Sequence, residues 1–176
     1  MTSSDLDYLK SLIRDVPDFP KPGILFKDIT PLLQDPKAFK QIIDELGDYL
    51  RSKKVDTIVG IESRGFIFGP ALAYKLDIGL VPVRKAGKLP YKVLQESYDL
   101  EYGQATLEIH EDAIKPGARV VIIDDLLATG GTANAASKLI QRLGGTVVAA
   151  AFIVELEFLG GRKHLSDYDV FSLIQY

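Results

Sequence analysis

Short apolar runs that each stop abruptly at charge recur along this chain, and stripes of helical period fill the gaps between them. Val120 to Ile123 is a β-branched run without polar alternation, the pattern of a strand buried on both faces of a parallel sheet. Thr57 to Ile61, Leu80 to Val83, Thr146 to Leu156 and Val170 to Ile174 read as further strands. Helices are predicted between them. Pro36 opens one whose Phe39, Ile42, Ile43, Leu46 and Leu50 face a core. Phe66 to Leu76 reads as another, with Pro70 near its first turn or at a kink, and Thr132 to Leu143 as a third, ended by Gly144 and Gly145. Strands alternating with helices predict an α/β fold with a right-handed, mostly parallel central sheet flanked by helices.

Two stretches depart from this rhythm. At the start, Ser3 or Ser4 caps a helix with Leu6, Leu9, Ile13 and Val16 in one stripe, and Pro17 to Pro22 must be extended or turning. Gly23 then opens the run Ile24, Leu25 and Phe26, which exits into Lys27 and Asp28 and reads as a strand of a small N-terminal lobe on the main sheet. The second stretch, from Leu89 to His110, does not read as a core element. Tyr91, Leu94, Tyr98, Leu100 and Tyr102 are scattered among Gln95, Glu96, Asp99 and Glu101, and the apolar pattern recovers only at Ala105 to Ile109. A long hairpin with an anchored base and an exposed tip is predicted, serving as a lid or, alternatively, an oligomer contact. The whole chain, 1–176, reads as one domain.

Composition narrows the class. With 47% apolar and 26% charged residues the chain should be a soluble globular protein. Its apolar runs are too short to span a bilayer, and Met1 to Asp7 lack the basic and apolar blocks of a secretory signal, so a cytoplasmic protein with no membrane partner is expected. A net charge of −3 argues against a nucleic-acid partner, although a local basic pocket is compatible with it. Cysteine is absent, which excludes disulfides, thiolate catalysis and cysteine-ligated metals. His110 and His164 are far apart in sequence and read as ordinary surface or strand-edge residues.

The candidate chemistry gathers where strands end. Asp124 and Asp125 follow the Val120 to Ile123 strand, at the edge where open α/β sheets place their ligands. Ala128, Thr129, Gly130, Gly131 and Thr132 then bring backbone N–H groups and two hydroxyls to a helix start, with glycines that let a phosphate approach the backbone. Either fragment alone could be a solvated turn or a plain helix cap; joined after a buried strand, they point to a ligand. Glu62-Ser63-Arg64-Gly65 is another loop at a strand end. It is not a nucleophile elbow, because Ile61 stands where glycine is needed, and it is not a Walker loop, because Phe66 follows Gly65. Arg84, Lys85 and Lys88 add a third such edge, and with Arg64 they give four cations that demand an anion, enough to hold a pyrophosphate.

An apolar strand, two acidic residues and a Thr/Gly loop ahead of a helix resemble the phosphoribosyl pyrophosphate (PRPP) signature of type I phosphoribosyltransferases. Longer blocks extend the likeness over nearly the whole chain: Pro17-Asp-Phe-Pro20, Gly60-Ile-Glu-Ser-Arg-Gly-Phe66, Arg84-Lys-Ala-Gly-Lys-Leu-Pro90, Leu100-Glu-Tyr-Gly103 and Phe171-Ser-Leu-Ile-Gln-Tyr176. These blocks resemble the adenine phosphoribosyltransferases in particular. The resemblance implies the type I phosphoribosyltransferase fold, with a base-binding hood in 1–34 and a flexible lid hairpin in 89–110. It implies adenine and PRPP as substrates, AMP and pyrophosphate as products, and a homodimer. Mg2+ would be carried mainly by PRPP or pyrophosphate oxygens and water, with no direct protein ligand.

Residue roles follow from the same resemblance. Ala128 to Thr132 would hold the 5-phosphate, Asp124 and Asp125 the ribose hydroxyls, and Arg64, Arg84, Lys85 and Lys88 the pyrophosphate. Adenine would lie between Phe26 and Leu156, read by the backbone of Leu25 and Lys27. The family usually has arginine at position 27, a minor departure for a backbone contact. Ser97, Tyr98 and Tyr102 would belong to the lid, and Glu101 would be the catalytic proton acceptor or donor near N7 of the base. The family's pyrophosphate loop suggests a strained or cis Glu62–Ser63 peptide. Two rivals stay open at this point: an enzyme for a 6-oxopurine, and a PRPP-binding regulator without turnover.

Overall fold

The computed structural model describes residues 1–99 and 103–176 and divides into two compact units, Met1–Glu45 and Leu46–Tyr176. In the first unit, helix α1 (Ser3–Ser11) is capped one residue earlier than predicted. The Thr2 hydroxyl accepts from the Asp5 N–H at 3.2 Å and the Asp5 carboxylate accepts from the Thr2 N–H at 2.9 Å, a reciprocal capping box. The helix stops well before Pro17. Val16, expected on its stripe, belongs instead to strand β1 (Arg14–Pro17), which pairs antiparallel with β2 (Leu25–Asp28), Val16 opposite Phe26. The connection contains a cis Phe19–Pro20 peptide and Gly23 at φ +86°. A five-residue helix, α2 (Thr30–Gln34), follows; it is too short for a periodic pattern to reveal. Helix α3 (Pro36–Arg51) begins at the predicted proline, where Asp35 Oδ1 accepts from the Lys37 and Ala38 N–H groups, each at 2.9 Å.

The second unit is built on seven strands in the order β5-β6-β4-β3-β7-β8-β9. Strands β3 (Thr57–Ile61), β4 (Gly79–Lys85), β7 (Arg119–Leu127), β8 (Thr146–Glu155) and β9 (Val170–Gln175) run parallel, as the sequence pattern requires. Helices α4 (Gly65–Leu76) and α5 (Gly131–Arg142) both pack on β7. Val120 to Ile123, at the centre of the sheet, are wholly buried, which accounts for their unbroken apolar run. Pro70 lies in the interior of α4, away from its first turn. Among the described residues no helix is long and apolar enough to cross a membrane.

The predicted hairpin forms with its base anchored, and that base belongs to the core more than expected. Strands β5 (Val93–Asp99) and β6 (Gln104–His110) form it, and β6 also joins β4 through Arg84 opposite Glu108 and Lys85 opposite Leu107. Its base is therefore part of the main sheet. Leu107 and Ile109 are buried in the core, and buried Glu108 accepts from the Gly87 N–H at 2.9 Å and from Gln95 Nε2 at 2.8 Å. The weak alternation in β5 has a physical cause: Glu96, on the side that carries Leu94 and Tyr98, engages α5, while Gln95 and Ser97 bond across to β6. Glu96 pairs with Lys138 at 3.3 Å, and Arg142 donates to the Gln95 carbonyl at 2.6 Å. His110 is likewise not a plain surface residue, since its Nε2 is buried without a hydrogen-bond partner. Leu107→Ala should destabilise the protein by roughly 2–5 kcal/mol in denaturant unfolding, as for other buried leucines; an unchanged midpoint would mean that the hairpin is only an appendage.

Candidate active site

The carboxyl ends of the central parallel strands enclose a cavity of about 280 Å³. Glu62, Ser63 and Arg64 reach it from the β3–α4 loop, Lys85 from the end of β4, and Asp124 to Leu127 from β7 itself. Ala128, Thr129, Gly130 and Thr132 line it from the next loop, and Tyr98 from β5. Asp124 and Asp125 do not follow the strand, as the apolar run suggested. They lie within it, because β7 continues to Leu127 with Asp124 opposite Phe152 of β8.

Backbone packed against backbone positions these loops. A Cβ on Gly65 would lie 2.5 Å from the Ile123 carbonyl oxygen, so the start of α4 sits directly on the middle of β7, just before Asp124. Gly130, at φ +85°, would place a Cβ 2.4 Å from the Gly161 carbonyl oxygen. Its glycine is thus required by the protein's own turn, and not only by an approaching phosphate. That turn is itself anchored. Arg162, beside Gly161, makes two 2.7 Å contacts to the buried Glu155 carboxylate at the end of β8. The Glu62–Ser63 peptide is cis, as the family resemblance suggested.

Much of the charge in the site is paired. Arg64 Nε lies 3.0 Å from Asp125 Oδ2. Glu62 is the focus of a larger cluster: its carboxylate accepts from Arg84 Nε at 3.2 Å and Nη2 at 3.3 Å, from Lys88 Nζ at 2.5 Å and from the Lys85 backbone N–H at 3.0 Å. Burial pushes the Glu62 carboxyl upward, but Lys88, the Lys85 N–H and Arg84 together hold it at about 2. The aspartates behave oppositely. Burial, then the charge of Asp125, push Asp124 well above the usual carboxylate range, while burial raises Asp125 against the opposing pull of Arg64. Asp124 Oδ1 accepts the Asp125 N–H at 2.9 Å. An acidic pair held out of water favours added hydrogen-bond donors such as the hydroxyls of a sugar.

Of the residues read from sequence, Arg64, Lys85, Tyr98, Asp124, Asp125, Ala128, Thr129, Gly130 and Thr132 meet at this cavity. Arg84 and Lys88 join it through Glu62. Gly131 and Ser97 line a neighbouring cavity behind Tyr98, whose hydroxyl accepts from Thr132 Oγ1 at 3.2 Å. Leu156 follows β8, its N–H donating to the Leu127 carbonyl at 2.9 Å. Leu25, Phe26 and Lys27 lie on β2 of the N-terminal unit, with Phe26 edge-on to Phe19 at 5.1 Å and Lys27 paired to Asp15 at 2.6 Å. Glu101, Tyr102 and Leu100 fall outside the described residues. The sequence reading assigned no role to Glu62, Phe152 or Gly161. For Glu62 a signal existed, because clustered cations demand an anion and an acid stood at the next strand end.

A carboxyl whose pKa rises on folding costs stability while it is ionised. The cost is complete above the folded pKa and disappears below the unfolded value near 3.8. Asp124→Asn keeps the oxygen that accepts the Asp125 N–H and removes the charge. It should raise Tm at pH 7.5 by at least about 2 °C, the shift that roughly 1 kcal/mol gives a domain of this size. The gain should shrink as pH falls towards 4. A lower Tm at neutral pH would show that the ionised pair stabilises the fold.

Residues 28–175 match the phosphoribosyl transferase domain family. The adenine phosphoribosyltransferase of Solibacter usitatus is 63% identical over 168 residues, 96% of this chain and 97% of that protein. That of Acidobacterium capsulatum is 59% identical over 174 residues, 99% of this chain and 96% of that protein. The crystal structure of the Thermoanaerobacter pseudethanolicus adenine phosphoribosyltransferase matches with a TM-score of 0.95 at 56% identity, covering 97% of this chain and 99% of that one. The Saccharomyces cerevisiae enzyme, crystallised with an imino-altritol bisphosphate and adenine, matches with a TM-score of 0.93 at 44% identity, covering 98% and 99%. A strand-end acidic pair, a glycine-threonine loop and a cationic edge, in a chain this similar throughout, place it in the type I phosphoribosyltransferase fold, and the chain belongs to the phosphoribosyl transferase family, among its adenine phosphoribosyltransferases.

Proposed function

We propose a division of roles for the transfer this family performs, from PRPP to N9 of adenine, giving AMP and pyrophosphate in purine salvage. The observation that carries it is the meeting, in one cavity, of an acidic pair whose carboxyls burial pushes upward, a helix-start loop and the cationic edge. Ala128 to Thr132 hold the 5-phosphate on backbone N–H groups and hydroxyls at the start of α5. Asp124 and Asp125 accept from the ribose hydroxyls. Arg64, Arg84, Lys85 and Lys88 hold the pyrophosphate. Adenine N9 forms its bond to C1 of the ribose as the bond to pyrophosphate breaks, with inversion, through a transition state of oxocarbenium character. The site stabilises positive charge on the sugar and negative charge on the departing group.

Adenine is read by Leu25, Phe26, Lys27 and Leu156. Leu25 and Lys27, two residues apart on a strand, present their backbone groups to the same edge, which suits a carbonyl to the amino group and an N–H to a ring nitrogen. A 6-oxopurine would set acceptor against acceptor, costing roughly 1–3 kcal/mol per unpaired group. Glu101 exchanges the proton at N7. Magnesium fits this site through its chemistry: the acidic pair offers hard oxygens, and among the described residues no three acidic or histidine side chains form a cage of their own. The ion would ride mainly on PRPP or pyrophosphate oxygens and water, with the oxygens of Asp124 and Asp125 nearby, and would supply charge neutralisation for the leaving pyrophosphate.

The partner is a second copy of the chain. Ile67, Pro70 and Tyr74 fall on one side of α4, and Tyr74 is 92% exposed, an apolar face that a homodimer would cover. A cytoplasmic location accords with small-molecule substrates and needs no membrane or nucleic acid.

With PRPP and magnesium supplied, nucleotide and pyrophosphate should appear with adenine and not with hypoxanthine, guanine or xanthine. Product from a 6-oxopurine would overturn the base reading, and PRPP binding without product from any base would overturn turnover. Glu101→Gln should lower kcat by about 10²-fold or more, the usual scale of proton-transfer catalysis, with PRPP affinity within about twofold. Equal losses in both would remove Glu101 from the proton transfer.

A further inference from the structure

We infer that Glu62 is an internal stand-in for pyrophosphate, holding Arg84 and Lys88 gathered in the absence of ligand and competing with pyrophosphate for them, so that it sets how fast that product leaves. The inference rests on the pyrophosphate role proposed above for Arg84, Lys85 and Lys88. Its basis is geometric. Every group that Glu62 engages is one that a pyrophosphate oxygen would seek: two N–H groups of Arg84 at 3.2 and 3.3 Å, the Lys88 ammonium at 2.5 Å and the Lys85 backbone N–H at 3.0 Å. The carboxylate is largely shielded, with 8% of its side chain exposed against 34% for Arg84 and 47% for Lys88. The cations therefore keep open faces towards solvent while their inner faces rest on Glu62.

Such an arrangement answers two opposed demands. Four cations with no anion would repel one another and splay, costing the order that a fast reaction needs. Four cations with no competitor would hold pyrophosphate tightly after the transfer, and release would then limit turnover. A fixed carboxylate meets both, because it keeps the cations in place and lowers the net charge that the product feels. Glu62 and Lys85 line the cavity, and Arg84 and Lys88 stand directly behind Glu62, so a pyrophosphate in the cavity reaches for donors that Glu62 already holds. Glu62 is thus a positioning residue, not a catalytic one. Its effect should appear in the binding of one product and not in that of the ribose phosphate.

Glu62→Gln tests this, since the amide oxygen can still accept from Lys88 or the Lys85 N–H while the charge is gone. Binding of magnesium pyrophosphate and of ribose 5-phosphate is measured by calorimetry for both proteins, with rapid-quench assay of AMP formation alongside. Pyrophosphate should bind on the order of 10-fold tighter to the variant, the scale of one charge-assisted hydrogen bond, with ribose 5-phosphate within about twofold. AMP should form in a burst followed by a slower steady state. Unchanged or weaker pyrophosphate binding, with ribose 5-phosphate retained, overturns the inference and leaves Glu62 a scaffold. If the variant fails to fold, Glu62→Asp decides: it keeps the charge but withdraws it by one methylene, so pyrophosphate should tighten about threefold, and no tightening overturns the inference. Failure of the unaltered protein to bind pyrophosphate would overturn the proposed pyrophosphate site and this inference with it.

Discussion

The loops that build the active site are held by two close backbone contacts, one on β7 and one on the turn at Gly161, and the constraint there is steric. Gly65 sits where a Cβ would meet the Ile123 carbonyl at 2.5 Å, and Gly130 where one would meet the Gly161 carbonyl at 2.4 Å. Real Cβ atoms do not make such contacts, so the loops before α4 and before α5 are fixed by backbone on backbone. Side-chain packing alone would leave them room to move. A wholly buried strand at the centre of the sheet makes this possible, because it gives the loops a rigid surface to press on.

Rigid, close-packed strand ends are also dry ends, and the electrostatics follow from that. Asp124 and Asp125 lose their water and are pushed towards the protonated form, and Asp125 recovers part of its charge only by pairing with Arg64. Glu62 is also largely shielded, yet it is held ionised because a guanidinium, an ammonium and a backbone N–H all point at it. Two kinds of carboxylate therefore coexist in one cavity. One is pushed upward by burial and suits added hydroxyl donors; the other is saturated with cationic donors and holds them in place.

Much of this was legible in the sequence. The parallel strands, the helices and the three strand-end loops follow from apolar runs that stop at charge, since a strand buried on both faces has no polar alternation to hide it. What stayed hidden involved partners distant in the chain. Gly130 reads as a phosphate-loop glycine, yet it is required by Gly161, thirty-odd residues later, and spacing carries no sign of that contact. The base of the hairpin looked unlike a core because Glu96 of β5 reaches α5, while Leu107 and Ile109 on β6 complete the apolar layer. Short elements such as β1 and α2 gave no periodic signal. Thr2 took the cap from Ser3 and Ser4 because the reciprocal partner three residues on is Asp5.

The contacts between β5 and α5 bear on how the loop before α5 and the hairpin communicate. Helix α5 begins in the loop proposed to receive the 5-phosphate, and strand β5 of the hairpin is fastened along it, by Thr132 to Tyr98 at one end and by Lys138 and Arg142 to Glu96 at the other. A phosphate that takes the Thr132 hydroxyl proton would reverse the bond to Tyr98, whose own hydroxyl can then donate to Thr132. Occupancy of that loop would reach the hairpin through this one hydrogen bond at the helix start, while the salt bridges a few turns away hold Glu96 to the helix. Such a coupling would be local, carried by α5 and β5 alone.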